Sequence, residues 1–182
     1  MHKGKVVYER YFGCLEEDTK HAIMSMTKSI TGLLGEILVA EGALDDTLLV
    51  RDVIPEIGDS AFATATVREV MDMTTGVQYS EDYSDPNADI WLYSAAASPL
   101  PKPEDYDGPN GYWEYLQQVQ PAGEHGAEFH YKTINSDMLG WMISTVTGKA
   151  VTDLASERIW SRMGAEQDAY QTVDSKGVPF AG

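Results

Sequence analysis

The sequence predicts an α+β chain in which helices outnumber strands, and three observations carry that prediction. The run Lys5-Val-Val-Tyr-Glu-Arg-Tyr-Phe12 follows Gly4 and concentrates β-branched and aromatic residues, which is strand composition. Four later segments repeat apolar residues at helical spacing. The 182 residues are 43% hydrophobic and 23% charged, an ordinary globular mix, and a chain of this length buries about 70% of its unfolded surface without disulfide or metal staples.

The elements follow in order. After the Lys5–Phe12 strand, Ile30, Leu33, Leu34, Ile37 and Leu38 mark one helix face between Ser25 and Glu41, with Gly42 as its stop. Thr66-Val-Arg-Glu69 is a capping box, and its helix is expected to run to Thr75, where Gly76 ends it. Asn135 or Ser136 caps a third helix through Met138, Leu139, Met142, Ile143 and Val146, closed by Gly148. Thr152 or Asp153 opens a fourth, through Leu154, Ile159 and Trp160 to Met163, closed by Gly164. Between the second and third lies a stretch from Val77 to His130 that holds six of the eight prolines. A stretch that long carries function or embeds short helices, such as one from Tyr112 to Val119. Its acidic part, Ser80 to Pro109, has few apolar anchors and is expected to be a mobile lid.

Charge narrows the partners. Thirteen basic against 29 acidic side chains leave a net charge of −16, with no Lys/Arg cluster. Nucleic acid and anionic membrane surfaces both need such a cluster, so neither is expected as a partner. The one cysteine, Cys14, excludes an internal disulfide framework and a multi-cysteine zinc site. No apolar run follows the basic start Met-His-Lys-Gly-Lys5, and the apolar stretch from Ile30 to Ala40 is too short to span a bilayer. A cytoplasmic protein is the expectation.

Most catalytic signatures are absent: there is no G-x-S-x-G elbow, no phosphate loop and no H-E-x-x-H. Asp85-x-Asn87-x-Asp89 begins like a calcium loop but has Ile90 where glycine is needed and Ala96 where glutamate is needed. His125 and His130 fit neither one helix face nor a zinc spacing, so both read as loop residues.

What remains is Ser25-Met-Thr-Lys28. Twelve serines and eight lysines give roughly 0.5 chance matches to S-x-x-K, so the tetrapeptide alone has little weight. Its place on the first turn of the most apolar helix has more. Residues i and i+3 share a face there, so the amine lies near the hydroxyl. The helix N-terminus favours a developing oxyanion, and a desolvated lysine can serve as the base that a serine nucleophile needs. The alternative is an N-cap serine beside a solvated lysine.

The surrounding motifs resemble those of the serine β-lactamase-related hydrolases. Ser25-Met-Thr-Lys-Ser-Ile-Thr-Gly32 and the apolar run to Asp45 are similar to the nucleophile helix of that family. Val50-Arg-Asp-Val-Ile-Pro-Glu56 and Val67-Arg-Glu-Val-Met-Asp-Met-Thr-Thr-Gly-Val77 resemble the two segments after it. Pro121-Ala-Gly123 and Phe129-His-Tyr131-Lys-Thr-Ile-Asn135 resemble the segment with the catalytic tyrosine. Ser80-Glu-Asp-Tyr-Ser-Asp-Pro86 and Asp168-Ala-Tyr-Gln-Thr-Val-Asp174 are similar to the nylon-oligomer (6-aminohexanoate-dimer) hydrolase branch.

The resemblance implies a β-lactamase/transpeptidase-like fold, an antiparallel sheet flanked by helices beside an all-helical domain. Residues 1–20 would give sheet strands, 21–148 the nucleophile helix and helical domain with its long acidic loop, and 149–182 a helix returning to the sheet. It implies Ser25 as acylated nucleophile, Lys28 as base and Tyr131 as proton relay, with Tyr83 and Asn135 on the substrate side and no cofactor. The β-lactamase branch has Tyr-x-Asn where this chain has Tyr131-Lys-Thr133. Threonine cannot donate two N–H bonds to a β-lactam side-chain amide, which favours small esters or linear amides as substrates. The family's third motif, Lys/His-Ser/Thr-Gly, is absent. The expectation is therefore a hydrolase acting through an acyl-enzyme on Ser25, weakly active by itself, and prone to self-associate or to pair with a further C-terminal half. The alternative is a non-catalytic folding or interaction module.

Overall fold

A computed structural model describes the whole chain, Met1 to Gly182, and its regular structure is helical. A one-turn 3-10 helix, Met24–Met26, leads into α1, Thr27–Ala40. Thr31, Leu34, Gly35 and Leu38 are its buried residues, one face at three- and four-residue intervals. Gly42 follows at φ 73°, a left-handed conformation that ends the helix where the sequence predicts. Next come two short helices, α2 at Val50–Val53 and α3 at Val67–Met71. Thr66 and Glu69 close the expected capping box reciprocally. Helix α3 ends at Met71, short of Thr75, because Met73 turns into the left-handed region at φ 55°.

The long middle stretch is more ordered than its composition implies. It contains α4, Asp89–Ala97, and α5, Tyr112–Leu116. Ile90, Tyr93, Ala96 and Ala97 of α4 are buried, so the acidic part of the chain is anchored in the core rather than free. Apolar residues lie on all sides of α4, and a periodicity search therefore sees no amphipathic stripe.

Helix α6, Thr133–Thr147, is the central element. Every residue from Thr133 to Ile143 is buried, and α1, α3 and α5 pack around it. Full burial of a side chain such as Leu34, Ile134, Met138 or Met142 contributes about 1.5–3 kcal/mol. Gly148 closes α6 at φ 65°. Its start differs from expectation: Asn135 and Ser136 lie inside the helix, and Lys132 precedes it in extended conformation without a side-chain cap. Helix α7, Val151–Ala155, packs Val151 and Leu154 into the same core and continues through a π turn to Met163.

The expected strand from Lys5 to Phe12 does not form, and no sheet is present. Pairing consists of four isolated bridges, His2 with Lys5, Leu49 with Thr66, Val77 with Pro121, and Val173 with Pro179. A strand is stable only when hydrogen-bonded to neighbours, and residues 6–12 meet none. No helix is long and apolar enough to cross a membrane.

Candidate active site

Ser25 lies in the 3-10 turn at the entrance to α1. The chain reaches it through Met24 at φ 48°, a left-handed conformation that costs a non-glycine residue on the order of 1 kcal/mol and is concentrated at functional sites. Lys28 follows one turn later, half-buried, and its Nζ donates to the Ser25 Oγ at 3.0 Å. The same Nζ lies 5.2 Å from the centre of the Tyr131 ring. The lysine is thus the hub that joins two residues 106 positions apart in the chain. The contact with Tyr131 is through its ring face.

Tyr131 is positioned by the extended residues before α6. Antiparallel pairing joins the two segments here: Gln78 N–H donates to the Gln120 carbonyl at 2.7 Å and Ala122 N–H to the Gly76 carbonyl at 2.8 Å. Farther along, Gly126 N–H donates to the Thr74 carbonyl and His130 N–H to the Met73 carbonyl. Gly76, expected only as a helix stop, is needed for this close approach: a Cβ there would lie 2.4 Å from the Gly123 carbonyl oxygen. Lys132 is buried and donates to the Thr75 and Val77 carbonyls at 3.0 and 2.7 Å, and burial holds its amine below the usual lysine range. Side chains alternate along this run. Glu128, His130 and Lys132 line a polar cleft of about 500 Å³, while Tyr131 meets Lys28 instead. Neither Ser25 nor Tyr131 lines this cleft.

The remaining residues divide. Tyr83 is exposed, donates to the Glu81 carboxylate at 3.3 Å and stands edge-on to Trp91 with ring centres 6.0 Å apart. Partial burial and the Glu81 carboxylate push its phenol above the usual range, and Glu81 links it to Thr133, two residues after Tyr131. Asn135 sits inside α6 rather than at its cap. It is buried in α6, and its Oδ1 accepts from the Thr75 hydroxyl at 2.7 Å. This bond ties α6 to the Thr74–Gly76 segment. His125 accepts the Gly76 N–H and pairs with the Thr64 hydroxyl, while His130 pairs with Glu128.

Two carboxylates near the hub had no sequence signal. Asp137 is buried one turn into α6, where it accepts from the Tyr93 hydroxyl and from the Ala181 N–H. Burial raises its carboxyl to about 6, against the pull of these donors and of Lys28. Glu81 accepts from the Thr133 N–H and hydroxyl at the start of α6. Glu81 and Thr133 are 52 residues apart, and no pattern along the chain joins them.

Comparison with known proteins bears on the family and the fold. The sequence pattern of the family described as Beta-lactamase matches residues 1–180. The 6-aminohexanoate-dimer hydrolase of Paenarthrobacter ureafaciens is 32% identical over 178 residues, which cover 98% of this chain and 45% of the relative. A Bacillus anthracis structure described as a 6-aminohexanoate-dimer hydrolase superposes with a TM-score of 0.88 at 34% identity, over 100% of this chain and 47% of that one. A Bacteroides dorei structure described as a β-lactamase gives a TM-score of 0.64 at 21% identity, over 89% of this chain and 44% of that one, and shows the shared fold. The chain spans about half the length of these relatives. On the family match across nearly its whole length, together with the serine and lysine placed on the helix that the resemblance assigns to the nucleophile, the chain belongs to the Beta-lactamase family.

Proposed function

We propose that the chain carries the acylation machinery of a serine hydrolase that cleaves small esters or linear amides through an acyl-enzyme on Ser25. The observation that supports this most directly is the 3.0 Å bond between the Lys28 Nζ and the Ser25 Oγ, with Tyr131 against the same amine. In this reading the neutral Lys28 amine takes the hydroxyl proton as Oγ attacks the carbonyl carbon. The Ser25 N–H, at a helix entrance where no intrahelical partner exists, stabilises the oxyanion. Tyr131 delivers a proton to the leaving alcohol or amine as the bond to the acyl carbon breaks. Water then hydrolyses the acyl-enzyme and returns the Ser25 hydroxyl. Tyr83, exposed and linked through Glu81 to the start of α6, would contact the substrate.

Fluorophosphonate labelling tests the proposal, with intact mass and peptide mapping as readouts. We expect one adduct on Ser25, none in Ser25→Ala, and labelling at least about 100-fold slower in Lys28→Met. A folded chain that takes no adduct, or takes it equally in Ser25→Ala, overturns the proposal and leaves a non-catalytic module as the reading.

A further inference from the structure

Helix α6 begins without a cap from its own neighbours, since the Lys132 side chain makes no capping bond. The first N–H groups of a helix need acceptors, and its positive end favours a negatively charged one. That acceptor is Glu81. One carboxylate oxygen accepts from the Thr133 N–H at 2.6 Å, and the other from the Thr133 hydroxyl at 2.7 Å. The second oxygen also accepts from the Tyr83 hydroxyl at 3.3 Å. One carboxylate therefore joins Tyr83 to the first residue of α6, and only Lys132 separates that residue from Tyr131.

We propose that Glu81 is a positioning residue for the site: through Thr133 it sets the placement of Tyr131 against Lys28, and through the Tyr83 hydroxyl it docks Tyr83 at the start of α6. This rests on the acyl-enzyme reading of Ser25 and adds to it a residue that need not touch substrate. A carboxylate suits the task because both donors on Thr133 are met at once, by charge-assisted bonds of fixed geometry. Lys132 anchors the extended run to the Thr75 and Val77 carbonyls, and Glu81 holds the first residue of α6 beyond it. Loss of Glu81 frees the junction between the extended run and the helix. A displacement of about 1 Å at a catalytic group costs about 100-fold in rate.

The test compares the whole chain with Glu81→Ala, Glu81→Gln and Glu81→Asp. Two quantities are read: the rate of fluorophosphonate labelling at Ser25, and amide hydrogen exchange in residues 80–84 and 131–135. Glu81→Ala is expected to slow labelling on the order of 10- to 100-fold and to lose protection in both segments. Glu81→Gln keeps an acceptor for the Thr133 N–H and is expected to restore most of both. A folded Glu81→Ala that labels at the wild-type rate overturns the proposal, whatever its exchange, because the carboxylate is then a cap and nothing more. If Glu81→Ala does not fold, Glu81→Asp, shorter by one methylene, carries the same readout: slower labelling upholds the proposal and an unchanged rate overturns it. Absence of any label on the wild type would sink the acyl-enzyme reading. The Glu81 proposal falls with it in that case, whereas a wild type that labels while Glu81→Ala labels equally fast overturns the Glu81 role and leaves the acyl-enzyme reading standing.

Discussion

Asp137 shows how much a single residue carries in this chain. Its carboxylate is enclosed between Tyr93 and the C-terminal segment, where Ala181 is also held from the other side by the Thr31 hydroxyl at 2.6 Å. Burial raises the carboxyl from 3.8 to about 6, so over that range the folded chain keeps a proton that the unfolded chain has released. For a group shifted in this direction, the stabilising contribution is complete below about 3.8 and is lost as pH rises through about 6. In Asp137→Asn the amide oxygen can accept from Ala181 and the amide nitrogen can donate to Tyr93, with nothing left to titrate. The wild type should therefore lose on the order of 2 kcal/mol relative to Asp137→Asn between pH 4 and pH 8. Urea unfolding of both proteins at the two pH values measures it, and a pH-independent difference would refute the assignment.

At the scale of elements, the decisive event is the crossing of the Thr74–Gln78 and Gln120–Lys132 segments, which carries Tyr131 to Lys28. Backbone passes backbone there at a distance only glycine allows. Alanine at position 76 would press its Cβ against the Gly123 carbonyl carbon and oxygen, at 2.5 and 2.4 Å, and neither can rotate away. Gly76→Ala is expected to destabilise the fold by about 1–3 kcal/mol and to slow Ser25 labelling by shifting the segment that bears Tyr131. Gly123→Ala is the control: a Cβ there meets nothing within 4 Å. Thermal unfolding of the pair checks the contrast, and equal melting temperatures would show that the crossing tolerates separation.

Over the whole molecule, the buried apolar residues form one core, and the N-terminal run is among the apolar segments left outside it. Val6, Val7, Tyr8 and Phe12 are 64 to 73% exposed, and no bridge extends past Lys5. Unpaired backbone flanked by apolar side chains is a template for pairing with another chain. Self-association that grows with concentration is the expected behaviour, weakened in Val7→Lys and Phe12→Ser. Sedimentation velocity over a range of concentrations measures it; a monomer throughout would remove this run as an association surface.

Local chemistry made much of this legible in advance. Periodicity and end signals located α1, α6 and α7 because an amphipathic or apolar helix is encoded over a few residues and closed by a left-handed glycine. The capping box of α3 was readable for the same reason, and so was the pairing of Ser25 with Lys28, one turn apart on a single helix face. The Lys5–Phe12 run forms no strand because β composition becomes structure only when a partner strand is present, and α4 leaves no periodic signal because it has no polar face. Asn135 is a related case, since its burial depends on what packs around α6. The sequence by itself therefore determined the bodies of α1, α6 and α7, the capping box of α3, the glycine stops after α1 and α6, and the Ser25–Lys28 pair, all interactions spanning one or two turns. Only the tertiary structure decided that Tyr131 meets Lys28, that Glu81 caps α6 from 52 residues away, and that Asp137 holds its proton to about pH 6. Each of these depends on which distant segment lies alongside, and on how much water the packing excludes.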